Sequence, residues 1–130
     1  EGPRIVLDLA GDRLEVMGIE DRLVQVFRNL ISNAITFSPS DGTIRLAAGR
    51  NGNDVEVIVS DEGPGIPPGK LAAIFDRFYT ERPKGEAFGT HSGLGLSISK
   101  QIVEAHGGTI AATNREDRRG ARFIVRIPAA

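Results

Sequence analysis

Two asparagines, Asn29 and Asn33, stand four residues apart in the stretch Asp21 to Ser38, DRLVQVFRNLISNAITFS. On a helix that spacing stacks their amides on one face, with Gln25 extending the row backward and Thr36 forward. Asparagine competes with the backbone for hydrogen bonds and is a mediocre helix former. Two readings account for the row: a solvated face, or amide oxygens aimed at a hard cation or a polar ligand. A second group is Asp61-Glu62-Gly63-Pro64-Gly65-Ile66-Pro67, directly after a strand-like run. Gly63 and Gly65 can take positive φ and let a ligand approach the backbone. Asp61 offers a pair of acceptors suited to an exocyclic amine such as that of adenine. A plain surface turn is the alternative. The third group is Gly93-Leu94-Gly95-Leu96 at the start of a helical pattern. Free N–H groups and the positive end of the dipole favour phosphate there, and Thr90 and Ser92 add hydroxyl donors. The run GPGIPPGK from Gly63 to Lys70 superficially suggests a P-loop. It fails, because Pro64 occupies the position of the first glycine and Leu71 that of the Ser or Thr.

The elements that must position these groups follow from periodicity and breakers. The Asp21–Ser38 helix carries a broad apolar stripe of Leu23, Val26, Phe27, Leu30, Ile31, Ala34 and Ile35, enough to bury one side. Strands are expected at Arg4–Leu9, Leu14–Met17, Thr43–Ala48, Val55–Ser60, Thr109–Thr113 and Ala121–Ile127. Ala10–Asp12 is a turn, Asn51–Asp54 carries a hairpin signal, and Asn114–Gly120 is a further turn. Leu71–Phe78 reads as a short helix. Gly93–His106 reads as a longer one, stopped by Gly107–Gly108. The polar, glycine-rich stretch Thr80–Ser92 has no period and reads as a lid-like loop. Hairpins favour an antiparallel or mixed sheet. With the helices on one face, the class is α+β, a two-layer α/β sandwich.

The chain has 130 residues, which suits one domain with one core. A net charge of −1 without basic runs gives no footprint for nucleic acid. There are no cysteines, so disulfides and thiolate metal sites are excluded. The two histidines, His91 and His106, stand in different contexts, against a zinc site. No apolar run approaches the roughly 20 residues that span a bilayer. The chain opens at Glu1 in the manner of an excised domain, compatible with a membrane-bound parent.

Taken together, Asn29-x-x-x-Asn33, Asp61-x-Gly63-x-Gly65, Phe75-Asp76-Arg77-Phe78-Tyr79 and Gly93-Leu94-Gly95-Leu96 resemble, in order and spacing, the asparagine, first glycine, phenylalanine and second glycine boxes of sensor histidine kinases. The chain is similar to their catalytic and ATP-binding domain, the Bergerat (GHKL) fold. Phe75 to Gly108 looks most like ChvG-type kinases of alphaproteobacteria. The resemblance implies a single domain over residues 1–130, preceded in the parent by a dimerisation and histidine-phosphoacceptor domain. No phosphoacceptor context surrounds His91 or any other residue of this chain.

The resemblance also implies roles. Asn33 would be the main Mg²⁺ ligand, and Asn29 would support metal and phosphates. Phe37 would pack against adenine, and Asp61 would accept its amino group. Gly63, Gly65 and Ile66 would shape the base pocket. Thr90, Ser92, Gly93, Leu94, Gly95 and Leu96 would hold the phosphates. Phe75 and Phe78 would anchor a lid from Tyr79 to Ser92. Thr36 departs from the pattern, which commonly has a basic, phosphate-binding residue there; Arg82 or Lys84 in the lid could compensate. His106, at a helix C-terminus, is expected on the dipole and the terminal carbonyls. The activity implied is transfer of the ATP γ-phosphoryl to a histidine on the dimerisation domain, for relay to a response regulator. The location implied is the cytoplasmic side of an inner-membrane sensor, with the fragment itself monomeric. Rival classes are a nucleotide-gated interaction module and a serine kinase of the anti-sigma type.

Overall fold

The protein is described here by a computed structural model covering residues 3–9, 15–67, 69–76 and 95–130. In chain order the elements are β1 (Arg4–Leu9), α1 (Glu20–Phe37), β2 (Thr43–Asn51), β3 (Asp54–Ser60), a 3-10 turn (Ala73–Phe75), α2 (Gly95–Ala105), β4 (Thr109–Asn114) and β5 (Ala121–Pro128). The strands form one sheet in the order β1-β2-β3-β5-β4. Among the described strands only β1–β2 is parallel, and the other pairs are antiparallel. This is the expected mixed sheet in a two-layer sandwich.

Burial alternates along β5, where Ala121, Phe123, Val125 and Ile127 face inward and the residues between them are more exposed. That is the pattern of a sheet covered on one side. Val26, Leu30 and Ala34 of α1 and Ile102 and Val103 of α2 complete a single core with Ile44, Val59 and Phe123. Phe75 meets Phe123 edge to face, with ring centroids 6.2 Å apart.

Both helices end by local rules. α1 has Glu20 and Asp21 in its first turn, where acidic charge suits the dipole. Its first residue outside the helix is Ile19, which supplies no side-chain cap. The Ile19 N–H instead donates to Nε2 of His106 at 3.0 Å. The Nδ1 of the same ring lies 2.8 Å from the Ile102 carbonyl. His106 therefore meets its terminal carbonyl as expected, and also joins the end of α2 to the start of α1. α2 stops with Gly107 at φ +78°, its N–H donating to Glu104, while the Gly108 N–H donates to Val103. This pair of bonds is the Schellman closure that Gly107–Gly108 predicts.

Three expectations change. The strand expected at Leu14–Met17 is, among the described residues, one antiparallel bridge between Val16 and Ala129. The helix expected at Leu71–Phe78 is, within the described residues, only the 3-10 turn. So short a segment gains too few helical bonds to offset nucleation, and Ile74 and Phe75 are set by the core instead. The apolar stripe of α1 is also narrower than expected. Ile35 is 43% exposed, because it lies around the helix from the sheet-facing row Val26, Leu30, Ala34. With Val24, Phe27 and Ile31 it lines an open apolar depression on α1. At 100° per residue that face lies roughly opposite Asn29 and Asn33, so it is not part of their site. The turn Ala10–Asp12 and the loop Thr80–Ser92 lie outside the described residues.

Candidate functional site

Asn29 lies on the flank of α1 that meets α2. Nδ2 of Asn29 donates to the Gly95 carbonyl at 3.2 Å and to Oγ of Ser99 at 3.3 Å. A carbonyl can only accept, so the amide nitrogen must be the atom facing α2. This fixes which way round the amide sits and leaves Oδ1 of Asn29 as the atom available to a ligand. Ser99 is fully buried. Gly95 is tucked against Asn29 as well: a Cβ there would come within 3.7 Å of the Asn29 amide carbon. Asn33, one turn on, is half-buried, and among the described residues none hydrogen-bonds its amide. Thr36 donates its hydroxyl back to the Ser32 carbonyl at 3.0 Å, so no cation stands at this position of the row.

The loop after β3 lies at the C-terminal end of the same helix. The Ser38 hydroxyl accepts the Glu62 N–H at 3.1 Å. Gly63 is buried directly against α1, where a Cβ would fall 2.5 Å from the Phe37 carbonyl oxygen. Phe37 and Gly63 are thus brought together. The reason for the glycine differs from the expected one, since among the described glycines Gly65 takes positive φ (+84°) and Gly63 does not. Gly63 is required by close approach to α1.

Asp61 is 2% exposed. Its Oδ1 accepts the N–H groups of Gly63 at 2.9 Å and Ala121 at 3.1 Å. Its backbone N–H donates to the Ala121 carbonyl at 2.9 Å. Among the described residues no donor reaches Oδ2, the oxygen left for an incoming amine. Burial pushes the Asp61 carboxyl above the usual aspartate range, and the two N–H bonds and the Arg115 charge offset part of that. A buried carboxylate with one oxygen satisfied and the other not is a directional acceptor.

Ile66 and Leu96 are both expected at the nucleotide site. Both side chains pack on the core, and the Ile66 backbone N–H and carbonyl are already bonded to Asn114. The Ile66 N–H is therefore not free to donate to a base. Thr90, Ser92, Gly93 and Leu94, together with Phe78 and the lid, lie outside the described residues. Sequence reading missed Ser99, Asn114 and Arg115. Asn114 and Arg115 stood within an expected turn, and a turn residue's distant partner leaves no local periodicity to detect. Among the described residues no three His, Asp or Glu side chains gather into a metal cage.

The arrangement is an α/β sandwich with an asparagine row on α1, a carboxylate-floored glycine loop at one end of it and a glycine-led helix at its side. Residues 18–130 match the family described as histidine kinase-, DNA gyrase B- and HSP90-like ATPases, and the chain belongs to that family. It is 47% identical over 137 residues to the sensor protein ChvG of Rhizobium meliloti (strain 1021), an alignment covering 96% of this chain and 24% of that protein. To the sensor histidine kinase CusS of Escherichia coli (strain K12) it is 40% identical over 125 residues, covering 96% of this chain and 26% of that one. The chain thus spans about a quarter of the length of the curated relatives it matches. The catalytic domain of histidine kinase ThkA superposes with a TM-score of 0.83 at 35% identity, over 97% of this chain and 78% of that one. The mycobacterial sensor histidine kinase MprB superposes at 0.81 with 28% identity, over 96% and 82%.

Proposed function

We propose that the chain is the ATP-binding catalytic domain of a sensor histidine kinase, delivering the ATP γ-phosphoryl to a histidine on a dimerisation domain for relay to a response regulator. The observation that carries this reading is the Asn29 amide, turned by α2 so that its oxygen faces away from the protein's own acceptors. One turn on, the Asn33 amide is bonded by none of the described residues. Phosphoryl transfer asks mainly for positioning and charge stabilisation. Asp61 and the Gly63–Gly65 loop receive the adenine end, and the start of α2 receives the phosphates. Mg²⁺ would be held by Asn33 with support from Asn29, where it would draw charge from the phosphate oxygens. The donor set suits it: neutral amide oxygens are hard ligands, and Mg²⁺ keeps most of its coordination for waters and phosphates. The attacking imidazole comes from the dimerisation domain, so this chain alone binds nucleotide and transfers little. The likeness to ThkA, whose structure is recorded in complex with response regulator protein TrrA, supports the same placement in a phosphorelay.

The test is an in-trans assay, mixing this chain with ATP, Mg²⁺ and a separate dimerisation domain bearing the acceptor histidine, beside a serine-bearing acceptor protein. Acid-labile phosphate on the histidine is expected, and Asn33→Ala is expected to abolish it together with the Mg²⁺ dependence of nucleotide binding. Phosphate on the serine would make this a serine kinase. Binding without transfer to either would make it an interaction module.

A further inference from the structure

The loop that receives the base is held from behind by the last residue of β4 and the turn that follows it, residues 114–120. Asn114 closes on Ile66 with both ends of its amide: the Ile66 N–H donates to Oδ1 at 2.7 Å, and Nδ2 donates to the Ile66 carbonyl at 3.0 Å. It acts as one rung of a ladder between segments 48 residues apart. Gly65 lies directly beneath, where a Cβ would come 2.9 Å from Oδ1 of Asn114. Arg115, with only 9% of its side chain exposed, donates from Nη1 to the Asp61 carbonyl at 3.0 Å. Asp117 takes the other edge of the same guanidinium, with Nε at 3.1 Å and Nη2 at 3.0 Å, and so sets the direction of the fork. The Gly120 carbonyl accepts the Arg115 N–H at 2.9 Å. Gly120 itself packs so close to the Asp61 carbonyl that a Cβ would fall at 2.0 Å. Both ends of the loop, Asp61 and Gly65–Ile66, are thereby tied to one segment of the chain.

We propose that Asn114 and Arg115 are positioning residues for base recognition: they fix the backbone of Asp61–Ile66 so that the free oxygen of Asp61 meets the exocyclic amine of adenine. This rests on the nucleotide-binding reading above. It separates the two ends of the site, because the clamp bonds the base loop and makes no hydrogen bond to Asn29, Asn33 or the described start of α2.

The experiment is a set of binding titrations on the whole chain with three probes: ADP, adenosine and inorganic triphosphate. Asn114→Ala is expected to weaken ADP and adenosine about tenfold, or about 1.4 kcal/mol, while inorganic triphosphate binds as in the unaltered chain. Asn114→Asp keeps an acceptor for the Ile66 N–H and loses the donor to its carbonyl, so an intermediate loss is expected. Arg115→Met is expected to repeat the pattern of Asn114→Ala. Backbone hydrogen exchange at Ile66 without nucleotide is expected to quicken in Asn114→Ala. Equal losses for all three probes would reduce both residues to structural supports and overturn the proposal. So would unchanged ADP affinity in Asn114→Ala. If the unaltered chain binds neither ADP nor adenosine, it is the nucleotide reading that fails, and the clamp's role in recognition falls with it.

Discussion

Asp61 carries opposed demands. Its Oδ1 is satisfied by two backbone N–H groups, yet burial makes the charge costly and raises the carboxyl above its usual range. Relative to the unfolded chain, such a raised carboxyl favours the folded state when protonated, and that advantage is lost as pH rises through the folded value. In its ionised form the group therefore opposes folding, while its second oxygen is what an adenine amine needs. Asp61→Asn keeps an acceptor for the two N–H groups and removes the buried charge. Without nucleotide its melting temperature should match or exceed that of the unaltered chain. Its ADP affinity should fall by on the order of 1–3 kcal/mol, the cost of a mispaired buried polar group. In the unaltered chain ADP affinity should begin to fall, on acidification, at a higher pH than an ordinary aspartate would give. Thermal unfolding and titration across pH check both. Unaltered ADP affinity in Asp61→Asn would remove this residue from base recognition.

At the scale of elements, what sequence could reveal was what local chemistry settles. α1 begins and ends within one residue of its reading, because five turns of apolar period and the Ser38–Gly42 breakers leave little freedom. The stop of α2 was legible in Gly107–Gly108, since a Schellman closure uses only neighbouring residues. Val16 bridging Ala129, Ser99 turning the Asn29 amide and Asn114 gripping Ile66 were not legible. Each is a contact between distant segments, and each residue type alone suits many places. The candidate site residues stood out for a different reason: asparagines inside a helix and glycines beside a strand go against local propensity. His106 combines the local and the distant. Its bond to Ile102 follows from position, whereas its bond to the Ile19 N–H, just outside α1, joins two segments far apart in sequence. His106→Ala removes that acceptor and opens space beside Gly18, against which the ring packs. A loss of about 1 kcal/mol is expected, read as a lower urea midpoint with an unchanged slope. The bond lies away from Asn29, so ADP affinity should stay the same. A changed affinity would show that the α1–α2 junction transmits to the site.

For the molecule as a whole, the question is whether the core holds the site or merely lies under it. Leu30 is fully buried and adjacent in sequence to Asn29, yet the two side chains face different partners: Leu30 joins the sheet-facing core, and Asn29 is fastened to α2. Leu30→Ala should cost roughly 2–5 kcal/mol of stability through lost burial and the cavity left behind. A nucleotide that binds only the folded state adds about 2.7 kcal/mol at 100 times its dissociation constant. Because Asn29 is anchored to Gly95 and Ser99 rather than to the sheet, α1 and α2 should settle together over the cavity. The ADP dissociation constant of Leu30→Ala should then stay within about twofold, a difference below about 0.5 kcal/mol. The stabilisation conferred by saturating nucleotide should equal that of the unaltered chain, so the two melting curves should rise in parallel across an ADP titration. Failure of the increments to match would mean that the depth of α1 over the sheet, and not only its fastening to α2, sets the geometry at Asn29.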